Sequence, residues 1–307
     1  MSLAESTSTP HTGHRAPAEA PRRGRPRRRG RRSSIERNSP ILGLIAWTVA
    51  LLFVVPIGWM LLTSFHSEVN AAQNPPALFA PLTLDGYRTV FGVTGGKSVI
   101  PALLNSTIAA VVSTVLVLVL ALPAAYATSI KPVQKSTDVL FFFLSTKFLP
   151  IVAGLLPIYM FAKYVGALDS IGLLIILYTC MNLPIAIWML RSFLAEVPVE
   201  ILEAAQLDGA GLIRTIRNVI MPVASSGIAA TALICIIFSW NELLLARTLT
   251  GVLSGTSPVF LASFVTSQGL FLGQLSAACI VVSLPVLIAG FAAQDKLVQG
   301  LSLGAVK

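Results

Sequence analysis

Six stretches of this sequence, each long enough to cross a lipid bilayer, run with almost no charge: 41–64, 104–127, 139–162, 171–193, 223–246 and 275–293. A hydrocarbon core about 30 Å thick is crossed by about 20 apolar residues of helix. Backbone N–H and C=O groups find no partner in hydrocarbon, so each stretch has to satisfy them internally as a helix. Together the runs predict an all-α, polytopic membrane protein with six transmembrane helices. Composition agrees: of 307 residues, 55% are hydrophobic and 11% charged, against about 25% charged in soluble domains. Mean hydropathy is +0.80.

The net charge of +9 points first to nucleic acid, but its distribution argues against that partner. Ten of the 22 basic residues lie between Arg15 and Arg37, and "RRGRPRRRGRR" (22–32) alone holds eight. No aromatic residue interleaves them to stack on bases. Residues 1–38 are otherwise Pro, Gly, Ser and Thr, with little to bury, and are expected to be a disordered tail. It does not read as a signal peptide, because the apolar run that follows exceeds the usual h-region and lacks a small-residue cleavage site. As a basic segment ahead of the first span, the tail marks the cytoplasmic side and meets membrane lipid headgroups.

Orientation follows from the remaining Lys and Arg. With the N-terminus inside, the cytoplasmic segments hold the Arg tail, Lys131, Lys135, Arg191, Arg214, Arg217, Lys296 and Lys307. The outer segments hold Arg88, Lys97, Lys163 and Arg247. The bias predicts both termini in the cytoplasm. Prolines 56, 123, 150, 157, 184 and 285 fall in or at the ends of spans. Each removes a helical hydrogen bond and favours a kink, as expected of helices around a transport cavity, although intramembrane proline is also common without such a role. Cys180, Cys235 and Cys279 lie far apart in apolar runs and read as small buried hydrophobes.

One segment interrupts this pattern. Between spans four and five, residues 198–222 carry acids, arginines and glycines. Pro198 can open a helix, its missing N–H being unpaired there anyway. Glu200 and Glu203 suit the positive end of the helix dipole. Ala204 and Ala205 keep one side small, Asp208, Gly209 and Gly211 end the helix, and Ile213, Ile216 and Ile220 then recur at helical spacing. This second piece is expected to lie along the inner leaflet until Pro222 turns the chain into span five. The arrangement suits a short helix held at the membrane surface, and equally an ordinary solvated loop.

Here the residues carry a resemblance. "EAAQLDGAGLIRTIRNVIMP" (203–222) resembles the EAA loop of ATP-binding-cassette (ABC) importer permeases: E-A-A, three residues, G, nine residues, then I-x-L-P. Glu203, Ala204, Ala205, Gly209 and Pro222 match in register, while Val219 and Met221 replace the Ile and Leu. "PLTLDGYRTVF" (81–91), "LLNST" (103–107), "SWNELLLA" (239–246) and "GLSLGAVK" (300–307) resemble the carbohydrate branch, specifically the smaller maltose-type permease; Gly86 stands where Asn is common. The likeness covers roughly 41–307 and leaves the Arg-rich extension outside, so 39–307 is expected to be one permease domain. It implies a coupling helix around Glu203, Ala204, Ala205, Asp208, Gly209 and Pro222 that docks on a cytoplasmic ATPase. It also implies a C-terminal tail that reaches the ATPase pair. The implied partners are a second permease subunit, two ATPase subunits that bind ATP and Mg, an extracellular solute-binding protein, and a carbohydrate or polyol substrate. The implied site of action is the bacterial cell membrane.

The chain is not expected to be an enzyme. "GVTGGKS" (92–98) ends like a phosphate-binding loop, but the required Gly five positions before Gly96 is Phe91, and topology places it outside. His11, His14 and His66 avoid the spans, and no His, Cys and acid cluster suggests a metal. No catalytic residue, metal ligand or resident cofactor is expected in this chain. Ionisable groups inside spans are functional candidates by default: Lys147 roughly 12 Å deep in span three, and Glu242 roughly 28 Å from the inner side of span five. Some 16 Å apart in depth, they are expected to face a wet cavity rather than each other. Asn105, Asn182 and Asn241 offer paired donors and acceptors for a polyhydroxylated solute, and Trp240 and Tyr159 offer faces for stacking. The alternatives are amides bonded to neighbouring helices and aromatics in packing. A rival function, an ion-coupled secondary transporter, would use Glu242 or Lys147 as the ion-linked group; a scaffold without transport would leave the intramembrane charges unexplained.

Overall fold

The computed structural model describes residues 40–74, 79–130, 134–267 and 269–305, without the side chains of 296–305. The Arg-rich tail, Lys131, the Lys296 side chain, Lys307 and the side chains of the C-terminal motif lie outside the described residues. The chain divides into two units, Met1–Leu52 and Phe53–Lys307. In the first, residues 40–52 form an apolar helix exposed along its length. That helix is the start of α1 (Pro40–Thr63), in which Thr63 is the one buried residue. A helix apolar on every side belongs in lipid or against another chain.

In the second unit, α2 (Glu68–Ala71) and α3 (Asp85–Val90) precede α4 (Val99–Ser129). Next come α5 (Ser136–Ser145), α6 (Ile151–Tyr164) and α7 (Ile171–Leu194). The interrupting segment forms α8 (Val199–Leu207), α9 (Leu212–Thr215), a π turn (Ile216–Ile220) and α10 (Met221–Val223). The last part holds α11 (Ser225–Trp240), α12 (Leu244–Leu249), α13 (Ser257–Ala262), a hairpin of β1 (Val265–Thr266) and β2 (Gly269–Leu270), and α14 (Leu272–Ala305). In the hairpin Val265 pairs antiparallel with Leu270.

Spans one, two, four and six are single helices long and apolar enough to cross a membrane, and spans three and five are broken. In span three, Ser136–Phe148 and Ile151–Tyr164 meet at 84°. The cause is Pro150, which lacks an N–H and pushes its predecessor out of the helical region; Leu149 and Pro150 are extended, with ψ 123° and 124°. Pro56, Pro123, Pro157, Pro184 and Pro285 lie inside helices that continue through them. Span five corrects the expected bounds: it ends at Trp240, short of 246, and Leu212–Val223 and Ser225–Trp240 meet at 86°.

The most extensive helix pair is α4 against α7. The buried face of α4 is a stripe of small residues at three- and four-residue spacing: Ala102, Ser106, Ala109, Ala110, Ser113, Ala121 and Ala125. Small side chains let backbones approach where lipid supplies no hydrophobic drive. The larger Leu174, Tyr178, Ile187, Leu190 and Leu194 of α7 are buried opposite. At the junction of α7 and α11, a Cβ on Gly227 would come within 2.6 Å of Phe193 Cδ2, so only glycine admits that ring. A Cβ on Gly86 would lie 3.2 Å from the Gly273 carbonyl and 3.3 Å from Ala277 Cβ. A side chain at 86 would make these neighbours give by a few tenths of an ångström, because α3 packs directly on α14. Glu68 caps α14, accepting from the N–H groups of Gly273 and Gln274 at 3.3 Å each.

Candidate functional site

Two places draw together the residues singled out by sequence. The first is the α8 segment. Pro198, extended at ψ 132°, precedes α8, and Glu200 sits in its first turn. Leu202 and Ala205 are buried, and Leu202 joins a cluster with Leu190 and Leu194 of α7, Tyr126 of α4 and Ile220. Glu203, Ala204, Asp208 and Gly209 face outward. The helix ends in a Schellman motif: Gly209 is left-handed at φ +71°, its N–H bonds the Gln206 carbonyl at 3.0 Å, and the Ala210 N–H bonds the Ala205 carbonyl at 3.0 Å. Ile220 is buried and Ile216 half-buried, but Ile213 is 81% exposed, departing from the expected common face. The turn into span five also falls later than expected, at Ala224, where ψ is 16°; Pro222 is exposed within α10.

The second place is a cavity of about 1050 Å³ between α6, α7, α11, the start of α12 and the 3₁₀ turn before α6, lined by Lys147, Cys180, Met181, Asn241 and Glu242 among others. The break in span three borders it through Leu149 and Pro150, and the end of span five borders it through Asn241 and Glu242. A 3₁₀ turn (Thr146–Phe148) carries Lys147. Among the described residues Lys147 has neither a hydrogen-bond acceptor nor an ion-pair partner, although a lone charge at the centre of a span costs about 2.5–3.5 kcal/mol on insertion scales. Glu242 stands two residues before α12: Oε1 accepts from the Leu245 N–H at 3.0 Å, and Oε2 from the Ala246 N–H at 3.2 Å and the Tyr178 hydroxyl at 3.4 Å. These bonds stop span five at Trp240, because the carboxylate satisfies the free N–H groups of a new helix. Tyr178 escaped the sequence reading; its signal is its place one turn before Asn182 on the same face of α7. Cys180, expected to be buried, is exposed on the cavity wall, while Cys235 is buried and Cys279 intermediate.

The other candidates are placed elsewhere. Asn105 donates to the carbonyls of Leu253 and Gly255 at 2.9 and 3.1 Å. Asn182 is fully buried and donates to Ser239 Oγ at 2.9 Å, its Oδ1 lacking a partner among the described residues. Trp240 is 6% exposed and packs with Phe264, Ala277 and Ala278; with Asn241 and Arg247 it borders a separate apolar cleft of about 770 Å³. Tyr159 lines a third, smaller cleft beside Thr248. Gly92, Gly95 and Gly96 have positive φ, and Ser98 of the phosphate-loop lookalike caps α4 by accepting from the Ile100 N–H at 3.3 Å.

One residue that sequence analysis missed ties two loops together. The Asp169 carboxylate accepts from the N–H groups of Gly251 (2.8 Å), Ser254 (2.9 Å) and Leu253 (3.1 Å). Its partial burial acts to raise the carboxyl pKa, but these N–H groups and the Ser254 hydroxyl outweigh burial and hold it below the ordinary value.

The sequence matches the family described as binding-protein-dependent transport system inner membrane component over residues 98–303. It is 36% identical over 268 residues to the probable ABC transporter permease protein y4oR of Sinorhizobium fredii, covering 87% of this chain and 95% of that one. It is 30% identical to the trehalose transport system permease protein SugB of Mycobacterium tuberculosis, covering 83% and 92%. In structure it resembles a chain of a bacterial ABC transporter involved in the import of the acidic polysaccharide alginate, with TM-score 0.68 and 21% identity over 85% of this chain and 98% of that one. A second likeness, with TM-score 0.52 and 18% identity over 66% and 95%, is to the MetNI methionine ABC transporter. The broken spans, the cavity and the anchored helix α8 thus sit in a chain that belongs to the binding-protein-dependent transport system inner-membrane components, the permease subunits of ABC importers.

Proposed function

We propose that this permease subunit carries a carbohydrate or polyol and is driven through α8 by cytoplasmic ATPase subunits. The observation that carries the reading is the two-sidedness of α8: Leu202 and Ala205 are fixed in the core while Glu203, Ala204 and Leu207 stand exposed. A helix anchored on one face and open on the other suits a lever that a partner grips. Displacement of α8 passes through Leu202 to Leu190, Leu194 and Ile220, and so to α7, α4 and α11. Packed helices respond by shifting between discrete arrangements. Asp208, Gly209 and Pro222 shape the lever: the left-handed Gly209 ends α8 sharply, and α10 leads to the bend at Ala224.

The assembly proposed is a second permease, two ATPase subunits that bind ATP and Mg, and an extracellular solute-binding protein, with both termini of this chain in the cytoplasm. Names of relatives that include trehalose, trehalose/maltose and diacetylchitobiose support the solute class. Lys147, Asn241 and Glu242 share one cavity and are proposed as pathway residues. The engaged amides of Asn105 and Asn182 and the packed Trp240 support scaffolding roles instead. The ion-coupled alternative finds no support in the family or its relatives. The test is uptake by the reconstituted assembly, with a cysteine at Glu203 for cross-linking. Uptake that needs ATP and binding protein, with the cross-link to the ATPase, is expected. Uptake by this chain alone under an ion gradient would overturn the proposal.

A further inference from the structure

Resting on the reading of the 1050 Å³ cavity as the pathway, we infer that its solute bears an acid group, and that Lys147 is the counter-ion that meets it. Lys147 and Glu242 are the two charged residues on the wall. Glu242 is engaged on both oxygens by Leu245, Ala246 and Tyr178, and its charge lies against the positive end of α12. The neutral polar groups are few and partly engaged. The Thr146 hydroxyl donates to the Phe143 carbonyl at 2.7 Å, and the Asn241 amide donates to the Ile237 carbonyl at 2.8 Å. The Lys147 ammonium is therefore the strong donor left free on this wall among the described residues.

A neutral sugar asks for several paired donors and acceptors, and this wall offers few. A carboxylate, sulfonate or phosphate asks for a cation, and the wall presents one at a fixed place. Lys147 sits in the 3₁₀ turn between α5 and the extended Leu149–Pro150 pair, so the proline break that opens the cavity also sets the charge in it. A cation within a span is favourable where water or an anion reaches it, and an acid-bearing solute supplies that anion.

The experiment uses the complete transporter, with its binding protein, in proteoliposomes. It compares uptake of a digalacturonate, a sugar sulfonate and a sugar phosphate with that of trehalose and maltose. Wild-type protein is expected to take up at least one acid-bearing probe. Lys147→Met should lower the ratio of acid-bearing to neutral uptake by about tenfold or more, as for truncation of one partner of a charge pair, and Lys147→Arg should restore it. Uptake confined to the neutral sugars would overturn the inference, as would equal loss of both classes in Lys147→Met, the mark of an ion pair with the second permease, or an unchanged ratio. Absence of uptake of every probe with ATP and binding protein present would instead count against the carbohydrate-importer proposal.

Discussion

The loop held by Asp169 and the segment built on α8 treat their polar groups in opposite ways. Around 250–257, Asp169 accepts three backbone N–H groups, Asn105 donates to two carbonyls, and Ser106 Oγ accepts from the Ser257 N–H at 2.8 Å. Around α8, the side chains of Glu200, Glu203, Asp208, Arg214 and Arg217 have no hydrogen bond or ion pair among the described residues. There Leu207 and Ile213 are 89% and 81% exposed. The 250–257 loop closes most of its polar groups internally, with Thr256 Oγ1 buried without a partner among the described residues and Val252 and Leu253 exposed. The difference between the two places therefore lies in their charged groups. A charged and apolar surface left open is arranged for a partner that supplies the missing contacts. Substitutions at the first place should therefore change stability, and those at the second should change transport.

The largest effect expected is at the open surface. Glu203→Lys reverses a charge that the fold does not use, so subunit stability should stay within about 0.5 kcal/mol, as for ordinary surface changes. ATP-driven uptake should fall by about tenfold or more, as when a charge at an interface is set against its partner. Thermal unfolding of the purified assembly and uptake in proteoliposomes measure the two sides. A large loss of stability with coupling intact would reverse the contrast.

How much of this was visible in the sequence depends on whether the deciding contact is local. The α8 segment was legible because proline, alanine, glycine and charge fall within twenty residues of one another, and its Schellman end follows from Gly209 alone. The spans were legible because bilayer thickness sets a length. The breaks were not. Six prolines looked alike, yet Pro150 alone stands at a break, and span five ends because Glu242 caps a helix that its apolar sequence does not announce. Asn105, Asn182 and Asn241 were indistinguishable as residue types. Their different fates were decided by Leu253 and Gly255 for the first, Ser239 for the second and Ile237 for the third. Two of these contacts join distant parts of the chain, which no local pattern encodes.

Stability effects at the closed loop should follow the number of bonds lost. Asp169→Ala strands three N–H donors and should cost about 2 kcal/mol, whereas Asn105→Ala removes one side chain that bonds two carbonyls and should cost about 1 kcal/mol. Both are read as shifts in thermal unfolding with the assembly intact. The ranking is the sharper test. If Asn105→Ala proved more damaging than Asp169→Ala, the loop would be anchored through α4 rather than through the turn before α7.

The smallest effect tests whether the charge on Asp169, and not only its shape, holds the loop. Because the N–H donors and the Ser254 hydroxyl outweigh burial, the folded carboxyl has a pKa below the ordinary value, which is about 3.9 when exposed. A depressed folded pKa means that the stabilisation is fully present above the unfolded value and is lost as pH falls through the folded one. Asp169→Asn keeps the size and one acceptor oxygen but removes the charge. The difference in stability between wild type and Asp169→Asn, expected to be below about 1 kcal/mol for a partly solvated group, should be flat from pH 7 to about pH 5 and shrink below about pH 4. A difference that grew on acidification would place the folded pKa above the unfolded one. That result would mean that burial governs this carboxylate, and that the loop is held by packing rather than by its N–H groups.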